Sequence, residues 1–216
     1  MEEKLDEISR KLSRFIDKIG KFSTFAMIPL VLITMWDVIC RKLVWVQIWL
    51  VENISPYLGS TILQELEWHF HTILFLMVFG YGFIHNRHVR VDFIRENFSF
   101  RKQVWIDFLG TTFFMIPFCI VLIYFSFIYV KDSFVINEAS ASMVGLPYRW
   151  VIKSFLLFGF TLALLSGISV WLQTFICLFG RPDYRFDLMT LTWPEEKNQK
   201  VQDLEDMEKT LDVKSE

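Results

Sequence analysis

Residues 108–130 and 154–179 contain no Asp, Glu, Lys, Arg or His, and these two runs set the strongest limit on what the chain can become. About 20 apolar residues cross a hydrocarbon core of roughly 30 Å, and both runs reach that length. In such a medium each backbone N–H and C=O needs a partner from its own segment, so each run is expected to be a helix. Composition agrees only once position is considered. Apolar residues make up 53% and charged residues 21%, against about 45–50% and about 25% in soluble domains, with the charge gathered at the two ends. A simple soluble globule, a disordered chain and a disulfide scaffold are excluded. Cys40, Cys119 and Cys177 are odd in number and lack CxxC spacing, so they read as small buried hydrophobes. A net charge of −2 gives no footprint for nucleic acid, and none is expected as a partner. No cleavable signal peptide is evident, because the first apolar run starts near Phe22, after a leader with five acidic residues.

The expected fold class is an all-α integral membrane protein with four transmembrane helices, an N-terminal amphipathic helix over residues 1–21 and an interfacial segment between the first two spans. In the leader, Leu5, Ile8, Leu12, Phe15, Ile16 and Ile19 recur at three- and four-residue spacing and form one apolar stripe. The four-helix membrane domain covers 22–180, with spans at about 22–40, 66–84, 104–130 and 151–179. Pro29 and Pro117 fall inside the first and third and are expected to kink them. Residues 43–66 carry Trp45 and Trp49 but are broken by Gln47, Glu52, Asn53, Pro56 and Gly59, which suits the headgroup level rather than a span. Residues 181–216 read as a charged, solvated tail, partly helical or disordered.

Basic residues set the orientation. The leader, the connection between spans two and three, and the tail hold 17 Lys and Arg, and the opposite side holds 5, which together account for all 22. Both termini are therefore expected in the cytoplasm.

The four histidines flank the second span: His69 and His71 at one end, His85 and His88 at the other. Glu65–His69 and Glu67–His71 stand four apart, each pair on one helix face. A metal site and axial haem ligation are the sharper readings; headgroup-level or helix-capping polar residues are the plainer one. Two haem ligands must lie at similar depth on different helices, whereas His71 and His85 are separated by roughly 21 Å of a single helix. No cofactor and no metal are assigned. No ionisable group sits near the middle of a span, as a solitary carrier would need. Nor does a nucleophile stand beside a base, so no enzyme is expected. In the fourth span Gly159, Ala163 and Gly167 recur every four residues, a stripe that lets another helix approach closely.

Two stretches carry a resemblance. Glu65-Leu-Glu-Trp-His-Phe-His71, running on to His88-Val-Arg-Val-Asp92, resembles the small membrane subunit (DctQ-like) of tripartite ATP-independent periplasmic (TRAP) transporters. So does Glu138-Ala-Ser140 followed by Gly145-Leu-Pro-Tyr-Arg-Trp-Val-Ile-Lys-Ser154, with the mannitol or chloroaromatic-type branch nearest. The resemblance covers about residues 20–180. It implies a scaffold subunit without a transport site in the bacterial inner membrane. Its partners would be a large DctM-like elevator subunit and a periplasmic substrate-binding protein, with sodium-driven uptake of an organic acid or related small solute. It also implies that Arg87, His88, Arg90 and Asp92 anchor the inner loop at the headgroups, although the positive-inside bias accounts for most of them. The alternative from another class is the membrane anchor of a haem-containing redox complex. On the translocated side Lys131, Glu138, Arg149 and Lys153 run against the basic bias. Either Glu138 pairs with Arg149 or Lys153 and stitches the loop to the fourth span, or Lys131 and Arg149 face acidic groups on a docking binding protein.

Overall fold

The computed structural model describes residues 1–87, 95, 98–142, 145–181, 183–195, 199 and 202, the side chain of Tyr57 excepted. Among the described residues all regular structure is helical: α1 (Glu2–Ser23), α2 (Met27–Lys42), α3 (Val44–Asn53), α4 (Ser60–Ile84), α5 (Phe100–Gly110), α6 (Ile116–Val135) and α7 (Arg149–Phe179). Both intramembrane prolines leave a mark one turn earlier. Pro29 has no N–H for the carbonyl of Phe25, and the chain tightens into a 3₁₀ turn over Thr24–Ala26 that joins α1 to α2. Pro117 likewise leaves the carbonyl of Phe113 without its donor, and there the chain widens into a π turn over Thr111–Met115 between α5 and α6. Three helical stretches are long and apolar enough to cross a membrane: Glu2–Lys42, Phe100–Val135 and Arg149–Phe179. The first half of α4 is too rich in Glu and His to join them, although its 25 residues extend roughly 37 Å at 1.5 Å each.

α7 is the central strut, with α1, α4, α5 and α6 all packed on it. The α4–α7 crossing is close and reciprocal. Gly80 of α4 lies against the backbone of Leu162, where a Cβ would come within 2.9 Å of the carbonyl oxygen. Gly159 of α7 lies against Leu76, where a Cβ would come within 2.8 Å of the leucine Cβ. Lipid tails give helices no hydrophobic reason to associate, so such backbone-level contact is what holds them together. Ala163, one turn on from Gly159, is fully buried, and Gly167 meets Met115 in the π turn. The stripe is thus shared between two neighbours within the chain, α4 and the α5–α6 hinge.

Two expectations need correction, and the leader gains detail. The leader is a helix whose apolar stripe divides: Ile16 is fully buried, Ile8 and Phe15 are about half exposed, and Asp6, Ser9, Gly20 and Ser23 are also buried. There α1 comes close to its neighbours: Ser9 and Ser169 exchange hydrogen bonds at 2.8–3.0 Å, and Gly20 sits under the Tyr81 ring. Segment 43–66 contains a helix of its own, α3, and α4 begins at Ser60, six residues before the expected start of the second span. Finally, the tail is not simply solvated. Phe186, Leu191 and Trp193 are buried, and Phe186 and Trp193 cluster with Ile176 beside Leu5 and Phe100. Gln173 donates to the Asp187 carbonyl and accepts from the Met189 N–H, both at 3.0 Å, so one amide side chain docks the tail backbone on α7. The Trp193 indole donates to the Phe186 carbonyl at 2.8 Å.

Filling the seam should therefore cost stability. Gly159→Leu or Gly80→Leu is expected to destabilise the protein by about 1–3 kcal/mol, the range for overpacked contacts, seen as a lower Tm in detergent. Gly110→Ala, where a Cβ meets nothing within 4 Å, is the control and should leave Tm unchanged or raise it.

Candidate functional site

The connection from α6 to α7, described at residues 136–142 and 145–148, is densely hydrogen-bonded. Its centre is Glu65, in the second turn of α4. One carboxylate oxygen accepts from the Ser140 hydroxyl and, at 3.2 Å, from the Ser142 hydroxyl; the other accepts from the Leu146 N–H at 2.6 Å. The Ser140 N–H closes the loop on the Leu146 carbonyl at 3.1 Å. Gly145 is required here, because a Cβ would run into the Ser140 side chain and lie 2.9 Å from Glu65. Within the described part of this loop two non-glycine residues adopt left-handed backbone: Asn137 at φ 48° and Tyr148 at φ 61°. Asparagine tolerates that region but a bulky ring does not. Tyr148 is held there from both sides, by the Leu146 bond to Glu65 and by the Arg149 N–H donating to the Glu138 carbonyl at 2.9 Å.

The four charged residues expected to matter here divide unequally. Glu138 pairs with Lys153, whose ammonium also sits 3.8 Å above the Tyr129 ring. Arg149 lies 4.0 Å from the same carboxylate, outside hydrogen-bond distance. Lys131 is exposed near the end of α6. A cavity of about 400 Å³ opens beside the loop, lined by Thr61, Gln64, Glu65, Trp68, His69, Ser142 and Arg149.

The expected Glu65–His69 pairing takes another form. The Glu65 carboxylate turns to the loop, and His69 Nδ1 instead faces the Glu65 backbone carbonyl at 2.5 Å. A partly buried carboxylate needs donors, and loop hydroxyls and amides supply more of them than one imidazole. His85 reaches Asp17 of α1 at 2.8 Å and lies tilted against the Tyr81 ring, 4.3 Å between ring centres. Among the described residues no group of three His, Cys, Asp or Glu is placed to hold a metal ion. Arg87 is exposed just past α4, its N–H bonded to the Gly82 carbonyl at 2.8 Å; His88, Arg90 and Asp92 lie outside the described residues. Sequence reasoning noted Asp37 only as lying near a span end and assigned it no partner. Asp37 of α2 is fully buried, paired with Arg41 and accepting from the Ser60 hydroxyl at 2.6 Å. An acid four residues before an arginine at a span end was the signal available.

Lys153 beside Glu138 holds the Glu138 carboxyl below the usual glutamate range. A depressed carboxylate stabilises the fold above its unfolded value of 4.5 and loses that contribution as pH falls through the lower folded value. The Tm should therefore drop on acidification below about pH 4.5, and Glu138→Gln should flatten that part of the profile while lowering the Tm at neutral pH. An unchanged profile in Glu138→Gln would mean that the pair adds nothing to stability.

Comparison with known proteins falls in line with this geometry. A family model described as tripartite ATP-independent periplasmic transporters, DctQ component, matches residues 30–177. No curated protein and no solved structure matches the chain. The matched range runs from the first turn of α2 to the last turn of α7 and takes in Glu65, the loop it holds and the α4–α7 seam. The chain belongs to the DctQ family, the small-subunit component of the TRAP transporters.

Proposed function

We propose that this chain is the small scaffold subunit of a sodium-coupled TRAP transporter that takes up an organic acid or related small solute. The observation that carries the reading is the DctQ match over residues 30–177. The structure supports it with the kind of building a scaffold needs. The acids at the helix ends serve the fold: Asp37 with Arg41 and Ser60, Glu65 with the α6–α7 loop, Asp107 with Arg95 and Thr190. The apolar outer face of α2, from Met27 through Val31, Leu32 and Met35 to Trp36, is exposed and is available to lipid and to the large subunit. The family finding gives no support to the alternative of a haem-complex anchor.

The topology we propose has four spans, with α4 as the second. Its polar first half is tolerable at a membrane boundary because Glu65 is satisfied by the loop. The 17-to-5 distribution of basic residues puts both termini in the cytoplasm and the α6–α7 loop in the periplasm, in the bacterial inner membrane. The leader and the folded tail then form one cytoplasmic cap, in which Arg181 pairs with Glu2 and Tyr184 donates to Asp6. The described part of the inner-loop anchor is Arg87. On the periplasmic side Glu138 and Lys153 stitch the loop to α7, which leaves Arg149 and Lys131 to face the substrate-binding protein.

Two measurements test this. Reporter fusions after Gly180 should be active only as cytoplasmic reporters, and fusions at Ser140 only as periplasmic ones; the reverse pattern would overturn the topology. When the chain is co-expressed with the neighbouring large permease, a tag on one should retain the other through size exclusion at constant stoichiometry. Separate elution of the two would contradict the scaffold role.

A further inference from the structure

The pocket at the head of α4 contains an arginine whose hydrogen-bonding fork has little to do inside the chain. Glu138 is committed to Lys153, and the Arg149 guanidinium stays 4.0 Å away and 41% exposed. Glu65 lines the same pocket but does not take that fork, because both its oxygens accept from the loop. A guanidinium presents five N–H donors in a planar array that matches a carboxylate at two points. Around it stand the Thr61 hydroxyl, the Gln64 amide and the Trp68 indole, which is 73% exposed. An exposed tryptophan and an arginine whose one ion pair is long, at 4.0 Å from Glu138, share one small polar pocket, and Trp and Arg are the residues that protein interfaces use as anchors. The pocket is open on one side. A site for a free small molecule would instead bury most of its ligand's surface.

We propose that this pocket is the socket for an acidic side chain of the periplasmic binding protein. The carboxylate lies in register with the Arg149 guanidinium, Gln64 and Thr61 add donors, and Trp68 covers the apolar stem. The inference rests on the docking reading above and adds to it which residues receive the partner and what the partner inserts.

The test uses the small and large subunits together in nanodiscs, with the purified cognate binding protein as the titrant. Trp68→Ala and Arg149→Gln should each raise the Kd about tenfold or more, the scale of an interface anchor. Arg149→Lys should restore only part of the affinity, since an ammonium lacks the fork. Because Arg149→Gln also touches the loop, a charge swap provides the second arm. Arg149→Glu should abolish binding, and one acid-to-lysine substitution on the binding protein should restore it. Wild-type affinity in both Trp68→Ala and Arg149→Gln, or no restoring partner in a full acid-to-lysine scan, overturns the socket while leaving docking elsewhere intact. Failure of the wild-type complex to bind at any protein concentration refutes the docking reading itself. Quenching of tryptophan fluorescence by acetate alone, absent in Trp68→Ala, would assign the pocket to a free anion and also overturn the proposal.

Discussion

Two glycines on facing helices decide how the rest of this molecule is arranged. Leu76 lies over Gly159 and Leu162 over Gly80, so α4 and α7 touch at the level of their backbones. In lipid no hydrophobic force draws helices together, and close packing has to supply the attraction. Once that crossing is fixed, the remaining faces of α7 are assigned. Ala163 and Leu162 are fully buried along it, Gly167 receives Met115 from the π turn, and Ser169 and Gln173 meet α1 and the tail. A bulkier residue at either glycine would move α4. Glu65 moves with α4, and so does the loop whose shape it holds.

The polar groups follow a complementary rule. A buried carboxylate is costly unless its oxygens are met by donors, and three acids take donors from other elements and so fix an element in place. Asp37 ties α2 to the start of α4 through Ser60, Glu65 ties α4 to the α6–α7 loop, and Asp107 ties α5 to the tail through Thr190. Packing thus sets the centre of the bundle, and hydrogen bonds set its two ends.

What the sequence made legible follows from periodicity and charge. The two charge-free runs became α6 with its π hinge and α7 nearly as bounded, and the small-residue stripe lies at helix contacts. The family was readable from motif order alone. The errors have specific causes. Helical periodicity showed that the leader is amphipathic but could not say that its packed face would add Asp6, Ser9 and Gly20 to Ile16 of the apolar stripe. The tail's Phe186, Leu191 and Trp193 have no helical or strand period, so nothing marked them as a cap. Glu65 appeared to belong to its helix neighbour His69, because its true partners Ser140, Ser142 and Leu146 lie more than seventy residues away in the chain.

We propose that this chain contributes structure, not a transport site, to a sodium-driven carrier. Proteoliposomes containing the large subunit, with or without this chain, and supplied with the binding protein and its radiolabelled solute, test it most directly. An inward sodium gradient should drive uptake only when both membrane subunits are present. Solute affinity, read on the binding protein alone, should be indifferent to this chain. Equal sodium-driven uptake by the large subunit alone would contradict the account.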